Sequence, residues 1–535
     1  MKRLLFLLLL ALASALNAAS SRPNIIVILA DDMGFSDIHC YGGEIDTPNI
    51  DRLAANGLRF TQFYNTARCC PTRASLLTGV YPQQAGVPHM VDNNRLPLEQ
   101  RQLSRRVVTI AEVLRTNGYR TAMSGKWHIC PADSYKTNGP MARGFDHFYG
   151  IIHGAASYFA PVTLMRDHES ISNFPPNYFL TDAIAENAAG YIRDFARGQK
   201  PFFLYAAFTA PHWPLHAPEA DIKKYLERYR RGWDALRPER HRRQIEMGIV
   251  AKGPLPPRDP DAKAWDEIAN KDWQAHRMAA YAAQIERMDR GIGTMLAALR
   301  DTGTLDNTLI LFLADNGGCA EQLGPTNKAL HVPLRAPDGG SMRLGNSPNI
   351  LPGGGDTYAS YGLPWAHLSN TPFRSYKHWV HEGGIATPLI VHWPSRIKTP
   401  GLRHEPGHLI DIMATCVDVA DAKYPRTFAG ERIQPLEGES LAPVFRGKKL
   451  GKRPLFFEHE ANRAVRVGDW KLVSKFPGGW ELYNLAADRP ETNNLIAKEP
   501  KRAAGLAREY EQWSKRVGVP APELVALRNL LKEKN

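Results

Sequence analysis

The chain of 535 residues is predicted to form a large α/β domain, a mixed and mostly parallel sheet flanked by helices, followed by a smaller C-terminal α+β subdomain on an antiparallel sheet. Three observations carry this prediction. Short apolar runs rich in β-branched or aromatic residues, at 23–30, 202–208 and 308–314, read as strands buried on both faces. Each is followed by a polar loop, and helical patterns lie between them, which is the rhythm of an α/β sheet. From about Gly451 the spacing changes: four short strand patterns stand close together ahead of one helix.

The first twenty residues are expected to be a secretory signal peptide and not part of the fold. Lys2 and Arg3 precede an apolar run at 4–16, and Ala18-Ala19 stands before the polar Ser20-Ser21-Arg22, with cleavage expected between Ala15 and Ser21. The run is shorter than the roughly 20 residues a membrane span needs, and no lipobox cysteine precedes the cut. No later segment is apolar enough to span a membrane. The expectation is a soluble chain, periplasmic or secreted, with no stable membrane insertion. Residues 21–450 form the expected large domain and 451–535 the subdomain.

Taken in order, strand 23–30 ends on Asp31-Asp32-Met33-Gly34. A short helix at 51–57 closes on Gly57, and a strand covers 58–64. Next comes Cys69-Cys70-Pro71-Thr72-Arg73, two thiols and a fixed cation running into a helix, a setting suited to chemistry on an anion. A helix at 105–114 and a strand at 120–123 lead to Gly125-Lys126-Trp127-His128, where Lys126 and His128 would share a face if the strand continued. A helix at 181–197 and strand 202–208 precede Pro211-His212-Trp213-Pro214, and strand 308–314 precedes Asp315-Asn316. Two stretches break the rhythm. Residues 219–273, rich in Arg, Pro and Trp, are expected to form an irregular surface insertion or lid. Residues 318–367, rich in Gly, Pro and Asn, are expected to be ordered loops beside the site. The subdomain strands are placed at 454–458, 463–467, 470–473 and 480–483, with a helix at 501–517.

Lys and Arg number 67 against 54 Asp and Glu, giving a formal charge of +13 and a pI near 9.4. Such an excess favours anionic partners. No zinc-finger, RRM-like or basic-zipper pattern accompanies it, so nucleic acid is not expected. A solvated basic surface or an anionic polysaccharide partner both fit. The six cysteines, an even number in an exported chain, permit disulfides, but neither a CxxC pair nor zinc-site spacing is present.

Asp31, Asp32, Asp315 and Asn316 offer three carboxylates and an amide oxygen, a hard donor set suited to calcium or magnesium. On spacing alone each pair also reads as a helix cap or a turn. Lys126, His128, His212 and Lys377, taken singly, read equally as structural or surface residues.

Together these loops resemble the type I, formylglycine-dependent sulfatases of the alkaline phosphatase superfamily. Cys69, Pro71 and Arg73 with Leu77-Thr78-Gly79 match the modification signature, with Thr72 where serine is more frequent. Asp31-Asp32-Met33-Gly34 resembles the first metal motif and Thr47-Pro48-Asn49-Ile50-Asp51-Arg52-Leu53-Ala54 the helix after it. Gly125-Lys126-Trp127-His128, Pro211-His212, Lys377, Gly383-Gly384 and Pro388 resemble further site motifs. Ala464-Val465-Arg466, Trp470-Lys471-Leu472, Glu481-Leu482-Tyr483-Asn484-Leu485, Glu491 and Asn494-Leu495 resemble the C-terminal subdomain.

The resemblance implies an arylsulfatase-like hydrolase of sulfate monoesters acting on an aryl sulfate or a sulfated carbohydrate. It implies that a maturase converts Cys69 to formylglycine, leaving Cys70 a bystander, and that one Ca2+ is held by Asp31, Asp32, Asp315 and Asn316 with residue 69. Lys126 and Lys377 would bind sulfate oxygens, and Arg73 would hold the formylglycine hydroxyl in register with the metal. One hydroxyl of the hydrated aldehyde would attack sulfur to give a formylglycine-sulfate. His212, helped by Lys377, would protonate the leaving oxygen, and His128 would take the proton that releases sulfate. A phosphate or phosphonate ester hydrolase on the same fold is the alternative.

Overall fold

The computed structural model describes residues 22–92, 97–326, 329 and 331–521. The expected signal peptide lies outside them. No helix among the described residues is long and apolar enough to cross a membrane.

Strands β1 (Asn24–Ala30), β2 (Leu58–Tyr64), β3 (Arg120–Gly125), β4 (His147–Ile151), β5 (Leu164–Arg166), β6 (Glu169–Ser170), β7 (Phe202–Ala207), β8 (Thr308–Ala314), β9 (Ala386–His392), β10 (Gly401–Arg403) and β11 (Gly407–His408) form one sheet. The spatial order is β10-β2-β9-β8-β1-β7-β3-β4-β5-β6, with β11 also on β2. β8, β1, β7, β3 and β4 run parallel, whereas β9 is antiparallel to both neighbours. Both faces are covered: Ile26, Ile28 and Ala30 enter one hydrophobic core, and Ile25, Val27 and Leu29 enter the other. This explains why β1 and β8 read as unbroken apolar runs.

Local chemistry moves some helix boundaries. The helix expected at 105–114 spans Ile110–Thr116, because Thr109 and Glu112 form a reciprocal capping box at its start, with bonds of 3.0 and 2.8 Å. The helix expected at 51–57 begins three residues earlier at Pro48, whose missing N–H costs nothing in the first turn.

The stretch 219–273 is irregular only in part, chiefly over 247–264, and is otherwise helical, contrary to expectation. It holds helices Glu219–Tyr229 and Trp233–Glu246, and the long helix Lys271–Asp301 begins within it. Arg240, fully buried, is the reason its basic pattern misled. Its guanidinium bonds Asp37 Oδ1 at 2.9 Å and Glu44 Oε1 at 2.6 Å. Asp37 Oδ2 in turn accepts from Gly34 N at 2.8 Å and from Tyr281 Oη at 2.7 Å. The segment is a clamp on the loop after Asp32. Among the described residues of 318–367, the regular elements are two-residue strands and the start of the helix Leu363–Ser369, as their composition suggests.

The C-terminal sheet is an antiparallel meander of β12 (Pro454–His459), β13 (Asn462–Val467), β14 (Trp470–Ser474) and β15 (Glu481–Asn484), followed by helix Pro500–Val517. Phe456 stacks on Trp513 of that helix, with centroids 4.9 Å apart. The sheet is joined to the main domain by a dry polar contact: Lys471 Nζ meets Glu382 Oε1 at 3.0 Å, and Tyr64 Oη donates to Glu382 Oε2 at 2.9 Å. All six cysteines are buried and free, so the disulfides that the composition permits do not form.

Removing one partner of a buried ion pair strands the other charges. Arg240→Ala is therefore expected to destabilise the protein by about 3–5 kcal/mol, read as a lower urea midpoint, whereas Arg242→Ala, on the exposed face of the same helix, is expected to leave the midpoint unchanged.

Candidate active site

The in-register pairing of β1 with β8, from Asn24↔Thr308 to Ala30↔Ala314, carries Asp31 and Asp32 out of the sheet beside Asp315 and Asn316. β7 lies on the other side of β1 and delivers the His212 loop, and β3 beyond it delivers Lys126. β9 runs the opposite way, so the loop before it brings Lys377 to the same edge. The site thus sits outside the carboxyl ends of the parallel strands.

Asp31, Asp32, Asp315 and Asn316 are each 0–1% exposed. Asp31 Oδ2 receives Lys126 Nζ at 2.6 Å, and Asp32 Oδ2 receives Lys377 Nζ at 2.8 Å. Arg73 donates through Nε and a terminal nitrogen to Asp315 Oδ2, at 3.1 and 2.8 Å, and to the Lys126 carbonyl at 2.8 Å. It therefore braces the carboxylates and the Lys126 loop. Asn316 Nδ2 bonds Asp32 Oδ1 at 2.7 Å. Asp31 Oδ1 and Asn316 Oδ1 are buried with no hydrogen-bond partner. Burial, then the neighbouring Asp315 charge, push the Asp31 carboxyl well above the usual carboxylate range, against Lys126 and Arg73. Orphaned hard oxygens among crowded carboxylates fit a divalent cation, which would satisfy the first and neutralise the second.

Cys69 opens the helix Cys69–Thr78, whose residues are all buried, so the thiol sits at the positive end of the helix dipole. A hydrogen bond from Cys70 holds the Cys69 thiol well below its ordinary range. Burial opposes this, and Lys126 and His128 add to it. Burial pushes Cys70 the other way, well above the ordinary thiol. Ligand atoms of Cys69, Cys70 and His128 lie within 4.8 Å of one another.

Lys126 and His128 do not share a strand face, because β3 ends at Gly125. Gly125 takes φ +122°, and a Cβ there would lie 1.8 Å from the Ala207 carbonyl oxygen. His128 adopts φ +55°, and a side chain at Gly154 would overlap its ring. His212 Nδ1 lies 2.6 Å from the Trp213 carbonyl. A carbonyl only accepts, so Nδ1 carries the proton and Nε2 faces Lys377 Nζ at 3.3 Å. Burial, then the Lys377 charge, push His212 well below the ordinary imidazole range.

Two acidic residues had no sequence signal. Glu321 binds Arg68 at 2.7 Å and Trp213 Nε1 at 3.0 Å and stands 3.8 Å from Lys377 Nζ. Asp92 reaches His128 Nε2 at 3.5 Å and His153 Nδ1 at 3.7 Å. Partial burial opposes its charge, but the two imidazoles hold Asp92 well below the usual carboxylate range. Each is a lone acid in an irregular loop, and only the fold gives it partners.

The family model described as Sulfatase matches residues 23–422, and that described as N-sulphoglucosamine sulphohydrolase, C-terminal, matches 374–512. An uncharacterised sulfatase of Schizosaccharomyces pombe is 33% identical over 90% of this chain and 92% of its own length. The arylsulfatase of Klebsiella aerogenes is 33% identical over 82% of this chain and 95% of its own. The solved structure of Ps i-CgsB in complex with k-i-k-neocarrahexaose shares the fold, with TM-score 0.67 at 24% identity, covering 92% of this chain and 93% of that one.

Bound cation stabilises the folded state by mass action, about 2.7 kcal/mol at one hundred times its Kd. Chelation is expected to lower the melting temperature and added Ca2+ to restore it. In Asp31→Asn both effects are expected to shrink to near zero, as followed by thermal melts.

Proposed function

The chain belongs to the sulfatase family, and on that premise we propose that it is an exported enzyme, periplasmic or secreted, hydrolysing a sulfate monoester to an alcohol or phenol and inorganic sulfate. The substrate is an aryl sulfate or a sulfated carbohydrate. The observation that carries this reading is the convergence, in one buried place, of Cys69 at a helix start with Arg73, Lys126, His128, His212 and Lys377 around Asp31, Asp32, Asp315 and Asn316. Residues 21–450 are taken as the catalytic domain and 451–535 as the subdomain. Export rests on the pattern of residues 1–20.

The three carboxylates and Asn316 would hold one Ca2+, which would supply electrostatic stabilisation of charge on the sulfuryl oxygens. Formylglycine, made from Cys69 by a maturase, would supply a geminal diol, one hydroxyl serving as nucleophile and the other providing a route to sulfate release.

This chain's own residues account for the rest. Lys126 and Lys377, which neutralise Asp31 and Asp32, face the place where an ester's anionic oxygens would sit. Arg73 holds Asp315 and the Lys126 loop in one orientation. His128, against residue 69 and with the Asp92 carboxylate 3.5 Å from its Nε2, receives the proton from a hydroxyl at that position. His212 and Lys377 share a proton between Nε2 and Nζ, and this pair delivers it to the leaving oxygen. Trp213 and Glu321 border that delivery point, offering an apolar face and an acceptor for hydroxyls. A structure of this fold in complex with D-glucosamine-2-N,6-O-disulfate, its substrate, supports including carbohydrate sulfates.

Release of sulfate from a panel of defined sulfated sugars and phenols tests the reading, using protein whose residue 69 has been checked by mass; greater turnover of the matched phosphate esters would overturn it. Cys69→Ser is expected to keep the fold and lose multiple turnover. His212→Ala is expected to slow alkyl or sugar sulfates by about 10²–10⁴-fold and 4-nitrophenyl sulfate much less, since a good leaving group needs little protonation. Comparing kcat/KM across leaving groups checks it.

A further inference from the structure

We propose that His378, His459 and Glu460 form a second metal site, for Zn2+, which fastens the Lys377 loop to the C-terminal subdomain. One ligand atom from each of the three lies within 4.8 Å of the others. His378 Nδ1 is 3.7 Å from Glu460 Oε2, and the His378 and His459 rings meet edge to face with centroids 5.2 Å apart.

An independent observation points to a ligand. His459 is 1% exposed, and neither of its ring nitrogens has a hydrogen-bond partner. A buried polar group left in that state is unfavourable, since it has given up water and gained no partner. A metal bond to one nitrogen removes much of that cost.

The donor chemistry selects the ion. Two imidazoles and one carboxylate suit Zn2+, with a fourth position for water, whereas the all-oxygen set at Asp31, Asp32, Asp315 and Asn316 suits Ca2+. The ion has a way in, since the His378 and Glu460 side chains are 28% and 20% exposed.

The backbone presents these ligands from two directions. His459 ends β12, and Glu460-Ala461 form the two-residue turn into β13 with φ of +49° and +67°. Positive φ at both positions is the mark of a type I′ turn, where Asn or Gly is usual and Glu or Ala is strained. Glu458 Oε1 holds the turn by accepting from Ala461 N at 2.9 Å. On the other side, His378 follows Lys377 directly, and its backbone N–H donates to the Ala67 carbonyl at 2.7 Å. An ion shared by the two segments would restrain the Lys377 loop against the subdomain turn.

The test is calorimetric titration of ZnCl2 into the full chain carrying Cys69→Ser and Cys70→Ala, with Ca2+ at saturation. These changes remove the thiols that stand near His128, and Ca2+ occupies the oxygen site. Saturable 1:1 binding is expected, with visible d–d bands when Co2+ replaces Zn2+. His378→Asn and Glu460→Gly are each expected to weaken binding by at least about tenfold. Glycine relieves the turn, so Glu460→Gly is also expected to raise the metal-free melting temperature, which separates lost ligation from misfolding. Absence of saturable binding, or affinity unchanged in both variants, overturns the proposal.

Discussion

Everything at the active site follows from placing three carboxylates, Asp31, Asp32 and Asp315, in a place without water. Each buried charge costs several kcal/mol unless it is matched. The chain matches them with three buried cations, Arg73, Lys126 and Lys377, arriving from three different segments. This balance dictates how the Cys69 helix, the loop after β3 and the loop before β9 must sit. It also leaves the oxygens of Asp31 and Asn316 that have no protein partner, a hard donor set that fits a divalent ion.

The sheet makes that balance possible because strand pairing is a register device. A slip of one residue between β1 and β8 would turn Asp315 to the opposite face of the sheet and break its contact with Arg73. The register is held by the apolar faces of β1 on two separate cores. The Trp233–Glu246 helix adds a second constraint from above, where Arg240 pins Asp37 and thereby the turn that begins at Asp31. What reads along the chain as a basic surface is in fact a buried brace.

Lys377 is the site residue with the most distant support. It neutralises Asp32 and faces His212, while the residues just after it touch the C-terminal subdomain. Glu382, five residues on, is held by Lys471 and Arg489. The described part of the subdomain thus braces the loop that carries Lys377, and the His378, His459 and Glu460 cluster lies at that junction.

Strand patterns, the turn residues that end them and the Cys69 signature are local properties, so they were legible in the chain. Strands 58–64 and 308–314 and the C-terminal meander fall where periodicity puts them, and Asp31, Asp32, Asp315, Asn316, Lys126, His212 and Lys377 do converge. The meaning of a charged residue without a motif was not legible. Arg240, Glu321, Asp92 and His459 look like solvated surface or isolated side chains, because their partners lie tens to hundreds of residues away. The start of the helix at Ile110 was likewise decided by a capping box that periodicity overlooks, and the end of β3 at Gly125 by a close approach to Ala207. By itself the sequence determined the α/β class and the motifs whose family resemblance pointed to the candidate site residues, since these depend on residue type and short spacing. Only the tertiary structure decided which charges pair, which oxygens are left for a cation and which tautomer His212 adopts, since these depend on burial and on contacts that the chain makes only when folded.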